Sequence, residues 1–285
     1  MPSVFINGLG LIGSSIARLI KVGHPDVTII GNDANPKNAE YLLEHQIIDR
    51  QVPFNQASKQ ADVIILATPV NIIVESLKQL GSLDLKPNTF VTDVGSSKQK
   101  ILSAANQFVK DGGHFIGGHP MAGSHLTGSE NGSDKLLANH TYFLANLNAS
   151  DDQVKLLKEL LSAGNFNFQA VSSEQHDRIV SAISYLPHVV AFSLINTVGP
   201  ELTELGVDPS VPAGGLLDTT RVAMSDPNVW TSILSSSSED VVEQIEQFEV
   251  QLQQMKAAIL NNDKQTVKLQ IESAKHDRQE MEDAK

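Results

Sequence analysis

Short apolar runs alternate with amphipathic stretches over the first 171 positions, and then the alternation stops. Residues 4–6, 27–30, 62–67, 89–92, 115–118, 140–145 and 166–171 have the length and composition of strands. The run Asp62-Val63-Ile64-Ile65-Leu66-Ala67 is almost continuously apolar, as a strand covered on both faces should be, and Thr68-Pro69 ends it. Between the runs, residues 36–45, 70–80, a stretch reaching about residue 110, and 151–163 read as helices, the last opened by Ser150 and Gln153 at capping-box spacing. Such alternation predicts an α/β domain built on a mostly parallel, doubly wound sheet with right-handed crossovers. Ser172 and Gln175 repeat the capping signature, and beyond them only helical periodicity is found. The expected division is therefore residues 1–171 as the α/β domain and 172–285 as an all-α domain. Within the latter, apolar residues at 241, 245, 248, 252, 255 and 259 form a heptad seam. That seam fits a helix packed inside its own domain or an interface with a second copy.

The first strand–helix junction is Asn7-Gly8-Leu9-Gly10-Leu11-Ile12-Gly13. In a strand–turn–helix unit the first glycine permits the tight turn, the second lets the backbone approach a pyrophosphate, and the third lets the helix pack on the strand. The helix N-terminus adds unpaired N–H groups and a partial positive charge. Asp33 follows Gly13 at the spacing of a carboxylate that accepts from the ribose 2′-OH of NAD and would repel the 2′-phosphate of NADP. The candidate cofactor set is Gly8, Leu9, Gly10, Leu11, Ile12, Gly13 and Asp33, with Thr68 and Pro69 at the end of a neighbouring strand. Ligands of open α/β sheets sit outside the carboxyl ends of the strands, so Gly8, Asp33, Thr68, Ser96 and His119 should line one edge.

Composition narrows the partners. Hydrophobic residues are 41% and charged residues 19% of the 285, the profile of an ordinary globular chain. No apolar run approaches the roughly 18 residues of a membrane span, and no basic leader is evident. A net charge of −12 argues against nucleic acid and against anionic membranes as partners. An anionic substrate would have to be held by a few local cations. With no cysteine there are no disulfides or thiolate metal sites; no metal is expected, and a cytoplasmic setting is.

Hydride transfer from an alcohol needs a group to take the hydroxyl proton, and histidine is the usual one. Of the 9 histidines, His119 lies between Gly117-Gly118 and Pro120, in what reads as a rigid loop at the cofactor edge. His188, in Ser184-Tyr185-Leu186-Pro187-His188, would sit on a helix able to cross the cleft, whereas His176, near a helix start, reads as capping or surface. Arg221 follows Gly214-Gly215-Leu216-Leu217-Asp218-Thr219-Thr220, a segment too glycine-rich for an uninterrupted helix. By pattern alone a solvated arginine is favoured there; the alternative is a fork for a carboxylate.

Five motifs in order, Gly8-Leu9-Gly10-Leu11-Ile12-Gly13, Asp93-Val94-Gly95-Ser96-Ser97-Lys98, Gly118-His119-Pro120-Met121-Ala122-Gly123, Ser184-Tyr185-Leu186-Pro187-His188 and Asp218-Thr219-Thr220-Arg221, resemble the prephenate dehydrogenase family, including its arogenate-using relatives. The resemblance spans nearly the whole chain. It implies a Rossmann domain followed by an all-α dimerisation domain, and NAD-dependent oxidative decarboxylation of prephenate by a homodimer. His119 matches the family's catalytic histidine, Ser96 the serine that orients it, and Arg221 the arginine that binds substrate carboxylate. His188, Ser124, Gly214 and Trp230 fall where the family lines its substrate pocket, and Lys98 is expected to assist Arg221. One departure is His125-Leu126, where many relatives carry an acidic residue and a lysine. The rival readings are an arogenate dehydrogenase and a non-catalytic NAD-sensing protein.

Overall fold

The computed structural model describes residues 2–124 and 126–284, so His125 lies outside the described residues. The α/β part runs β1 (Ser3–Asn7), α1 (Leu11–Gly23), β2 (Thr28–Asn32), α2 (Pro36–Glu44), β3 (Arg50–Gln51), α3 (Phe54–Ser58), β4 (Val63–Leu66), α4 (Val70–Leu80), β5 (Phe90–Asp93), α5 (Lys98–Lys110), β6 (His114–Pro120), α6 (Asp134–Leu137), β7 (Thr141–Asn146), α7 (Asp151–Leu160) and β8 (Asn167–Ala170). The eight strands form one sheet in the order β3-β2-β1-β4-β5-β6-β7-β8. All neighbouring pairs are parallel except β6 with β7. One apolar core, with Leu19, Ile20, Leu157 and Leu160, covers one face, and a second, with Ile73, Leu77, Ile101 and Phe108, covers the other. Central strands buried on both sides explain the continuous apolar run at β4. The glycine-flanked His119 is not in a loop: it is the penultimate residue of β6, paired with Phe143 of β7.

The helical part follows as α8 (Ser173–Val180), a π-turn at Ser181–Tyr185, α9 (Leu186–Glu204), α10 (Gly214–Thr220), a 3-10 turn at Arg221–Met224, α11 (Pro227–Ser236), α12 (Ser238–Leu260) and α13 (Lys264–Asp283). Both capping boxes form, Ser150 with Gln153 and Ser172 with Gln175. Gly214 and Gly215 open α10, and the helix tightens only at Arg221. Strands end where expected, near residue 170, but compactness divides the chain elsewhere. One unit runs to Ser237 and the other begins at Ser238.

Two faces are less covered than a finished fold requires. Within Ser173–Glu204 an 18-residue window has a mean hydropathy of 1.6, so by length and composition this helix could cross a membrane, against the expectation that no such run exists. Its first half is committed to the sheet through buried His176, Asp177 and Tyr185, yet in α9 only Ala191 is buried. On α12 the seam residues Phe248, Leu252 and Ile259 are exposed.

The junction of β5, α5 and β6 rests on a buried ion pair. Asp93 ends β5 and pairs with Lys98 at the start of α5. Its carboxylate also accepts from Gly95 N (2.7 Å) and Gly118 N (3.1 Å). Lys98 is 1% exposed, so it is a structural cation and not the substrate contact expected from its motif. Removing one partner of a buried pair strands the other charge at a cost of about 3–5 kcal/mol. Lys98→Met should therefore lower the thermal midpoint by roughly 10 °C, with part of the loss recovered in Asp93→Asn/Lys98→Met, as read by thermal unfolding of the single and double variants.

Candidate functional site

The glycine turn at the carboxyl end of β1 has the form a dinucleotide requires. Gly8 has φ +95°, and any side chain there would strike the Ala67 backbone. A side chain at Gly13 would strike the Gly8 carbonyl, while at Gly10 nothing lies within 4 Å of a Cβ position. The turn is thus closed underneath and open where phosphate would approach. Gly10 caps α1 without a side-chain bond, and no acidic residue occupies the first turn. Its N–H groups are left to an anion. Thr68 Oγ1, at the end of β4, is buried without a hydrogen-bond partner, as expected of a donor waiting for a ligand. These observations fit NAD, with Gly8, Gly10, Leu11, Ile12, Gly13, Asp33, Thr68 and Pro69 in reach of the edge by topology. Leu9 belongs to the turn through its backbone alone, since its side chain is fully buried in the core. Its amide donates to Asp33 Oδ2 at 2.5 Å, so Asp33 also braces the turn.

Beside this edge, His119 of β6 is half-buried, and its Nδ1 lies 2.9 Å from His176 Nε2. His176 Nδ1 in turn lies 2.6 Å from Asp177 Oδ1. His176 is fully buried, so it is neither a cap nor a surface residue. Asp177 has a second task. Ser97, the N-cap of α5, makes no side-chain cap bond, and Asp177 supplies the cap from α8. It accepts from Lys98 N (2.6 Å), Gln99 N (2.9 Å) and Ser97 Oγ (3.2 Å).

Burial opposes the charge on Asp177, but the hydrogen bonds from His176, Lys98 and Gln99 overcome it and hold the carboxyl below its ordinary range. Burial, then the neighbouring His176 and the Lys98 charge, push His119 well below the usual imidazole value. Burial likewise lowers His176, against the pull of Asp177. Both imidazoles are neutral at pH 7.

The remaining expected residues link to this group through the helices. Tyr185 Oη donates to the Ser96 carbonyl at 2.6 Å, tying the π-turn to the end of β5. Ser96 is thus held by its backbone, and the group against His119 Nδ1 is His176 rather than Ser96. Tyr185 meets the edge of Trp230, and Trp230 stacks on His188 with ring centroids 3.6 Å apart. Burial, and then the charge of Arg221, lower His188, and α9, which carries His188, packs against the turn that begins at Arg221. Arg221 itself is exposed. Ser124, exposed in the loop after β6, accepts from Leu126 N at 3.2 Å, and Gly214 is exposed at the first turn of α10. A line of contacts therefore runs from His119 through His176, α8, Tyr185 and Trp230 to His188, on the helix that packs against the Arg221 turn. Sequence reasoning missed His176 and Asp177; the adjacent His-Asp pair one turn after the Ser172 cap was the available signal.

Among the described residues no group of His, Cys, Asp or Glu is arranged to hold a metal. Residues 16–168 match the description of the prephenate dehydrogenase nucleotide-binding domain, and residues 172–271 that of the prephenate dehydrogenase dimerization domain. The prephenate dehydrogenase of Lactococcus lactis subsp. cremoris is 37% identical over 284 residues, covering 99% of this chain and 78% of that one. The structure of A. aeolicus prephenate dehydrogenase in complex with hydroxyphenyl propionate and NAD+ superimposes with a TM-score of 0.86 at 30% identity, over 99% of this chain and 98% of that one. Synechocystis arogenate dehydrogenase gives a TM-score of 0.82 at 26% identity, over 98% of this chain and 99% of that one. The glycine turn precedes the first matched span, so its reading rests on geometry, and with that geometry and these two spans end to end the chain belongs to the prephenate dehydrogenase family.

Proposed function

We infer that this chain oxidatively decarboxylates prephenate with NAD, giving 4-hydroxyphenylpyruvate, carbon dioxide and NADH. The observation that carries the reading is a neutral, half-buried imidazole, His119, on the same sheet edge as the open glycine turn. NAD, when bound, accepts the hydride from the hydroxyl-bearing ring carbon. His119 takes the proton of that hydroxyl at the ring nitrogen that does not face His176. Loss of the ring carboxylate makes the ring aromatic, so the driving force resides in the substrate. The protein contributes position and proton handling. Arg221 is the proposed fork for a substrate carboxylate, and Trp230 and His188 the wall beside it. Ser124 and Gly214 are proposed as the rim. Lys98 has no part in substrate binding.

The dimer belongs to the same reading. A 19-residue helix, α9, with one buried side chain, and an α12 seam with Phe248, Leu252 and Ile259 exposed, call for a cover. The matched dimerization-domain description supports a second copy as that cover. A cysteine-free chain suits the proposed cytoplasmic setting.

His119→Asn should lower kcat by roughly 10²–10⁴-fold with NAD affinity retained, measured by NADH formation and cofactor titration. Comparing kcat/KM for prephenate and arogenate in the same assay separates the two substrates. Because His119 titrates well below its ordinary value, its base form persists at neutral pH. The acid limb of kcat/KM should accordingly fall below about pH 6.5. Arg221→Gln should raise KM for prephenate by about tenfold or more, the scale of a lost charge-assisted hydrogen bond, and change kcat little. Sedimentation should give twice the chain mass; a monomer at micromolar concentration would remove the second copy from the account.

A further inference from the structure

We infer that His176 is a positioning residue that fixes the tautomer of His119, so that the nitrogen facing the substrate hydroxyl is the one with the lone pair. The inference rests on His119 being the base, as proposed above. It starts at Asp177, whose two oxygens together accept from the Lys98 and Gln99 amides and from the Ser97 hydroxyl. A carboxyl so surrounded by donors is ionised and can only accept. The 2.6 Å contact therefore puts the His176 proton on Nδ1. In a neutral ring the other nitrogen, Nε2, is then a bare acceptor. The 2.9 Å contact between Nε2 and His119 Nδ1 is satisfied only if His119 carries its proton on Nδ1. His119 Nε2 is left as the lone pair.

The opposite arrangement requires a doubly protonated His176, which would donate to His119 Nδ1 and force the His119 proton onto Nε2. That state would block proton uptake from the substrate. The groups around the pair disfavour it. Lys98 at the start of α5 is a buried cation that acts against positive charge on both rings. Asp93 at the end of β5 is paired to that lysine, and Phe143 of β7 presents an apolar edge to His176 at 5.5 Å between centroids. After proton transfer, the His119 imidazolium keeps its Nδ1–H on His176 Nε2. No second proton need move.

The experiment compares His176→Phe and His176→Gln with the parent protein in kcat, KM, the pH profile of kcat/KM, cofactor affinity and thermal midpoint. Phe fills the buried volume without an acceptor. Gln offers an acceptor to His119 and a donor to Asp177 but does not titrate. His176→Phe should lower kcat by roughly 10–100-fold with KM for prephenate and NAD little changed, the scale of an outer partner that orients a reacting group. His176→Gln should recover most of that loss. In acid a second proton on His176 would repel one on His119; Gln keeps the acceptor but cannot charge, so its acid limb should move to higher pH, a shift that a purely structural role would not produce. Parent-like kcat and an unmoved limb in both variants would overturn the inference while leaving the proposed function intact. Should His176→Phe fail to fold, the limb in His176→Gln decides alone. Unaltered turnover in His119→Asn would instead overturn the base assignment on which it rests.

Discussion

Asp177 is the point at which fold and chemistry are joined. α5 begins without a local cap, because the Ser97 side chain accepts nothing from its first turn. The donors that a helix N-terminus exposes are collected by a carboxylate 80 residues later, on α8. That contact pins α8 against α5. It also makes Asp177 an acceptor strong enough to dictate the proton on the adjacent His176. A buried carboxylate is costly to ionise unless donors surround it, and here the helix end supplies them. The same three bonds therefore close the fold and orient the imidazole.

The neighbouring charges follow from this constraint. Asp93 and Lys98 are both buried, and they are neutralised by each other and by the Gly95 and Gly118 amides. Gly118 is the residue before His119, so the ion pair holds the strand that carries the proposed base. It also keeps a buried positive charge near both imidazoles, and that charge favours their neutral forms. Lys98 cannot serve the substrate as well. In a chain of net charge −12, the task of attracting an anion is the one proposed for the exposed Arg221.

The strands, the parallel order and the glycine turn were legible because each is a local pattern: period two or continuous burial, then Gly8, Gly10 and Gly13 at fixed offsets. Two capping boxes were equally local, and both form. What escaped was set by packing between distant elements. His176 lies next to a correctly read helix start, which made a capping role natural, but α8 turns that face onto α5. Lys98 shares a motif with Ser96 and is expected from it to assist Arg221. The short span back to Asp93 at the strand end instead buries it. The apolar length of α9 was hidden by His188, Pro187 and Pro200, since a helix that tolerates a proline in its interior does not read as one run.

A weak base suits this reaction. Burial and Lys98 lower the basicity of His119, and for a proton abstraction that had to drive the chemistry this would be a handicap. Here the aromatic ring formed on loss of carbon dioxide supplies the driving force, so proton affinity matters less than availability of the lone pair. A depressed imidazole is neutral throughout the physiological range, and a tautomer fixed by Asp177 through His176 keeps its lone pair in one direction. The arrangement gives up basicity, which the substrate makes dispensable, and secures orientation, which the substrate cannot provide.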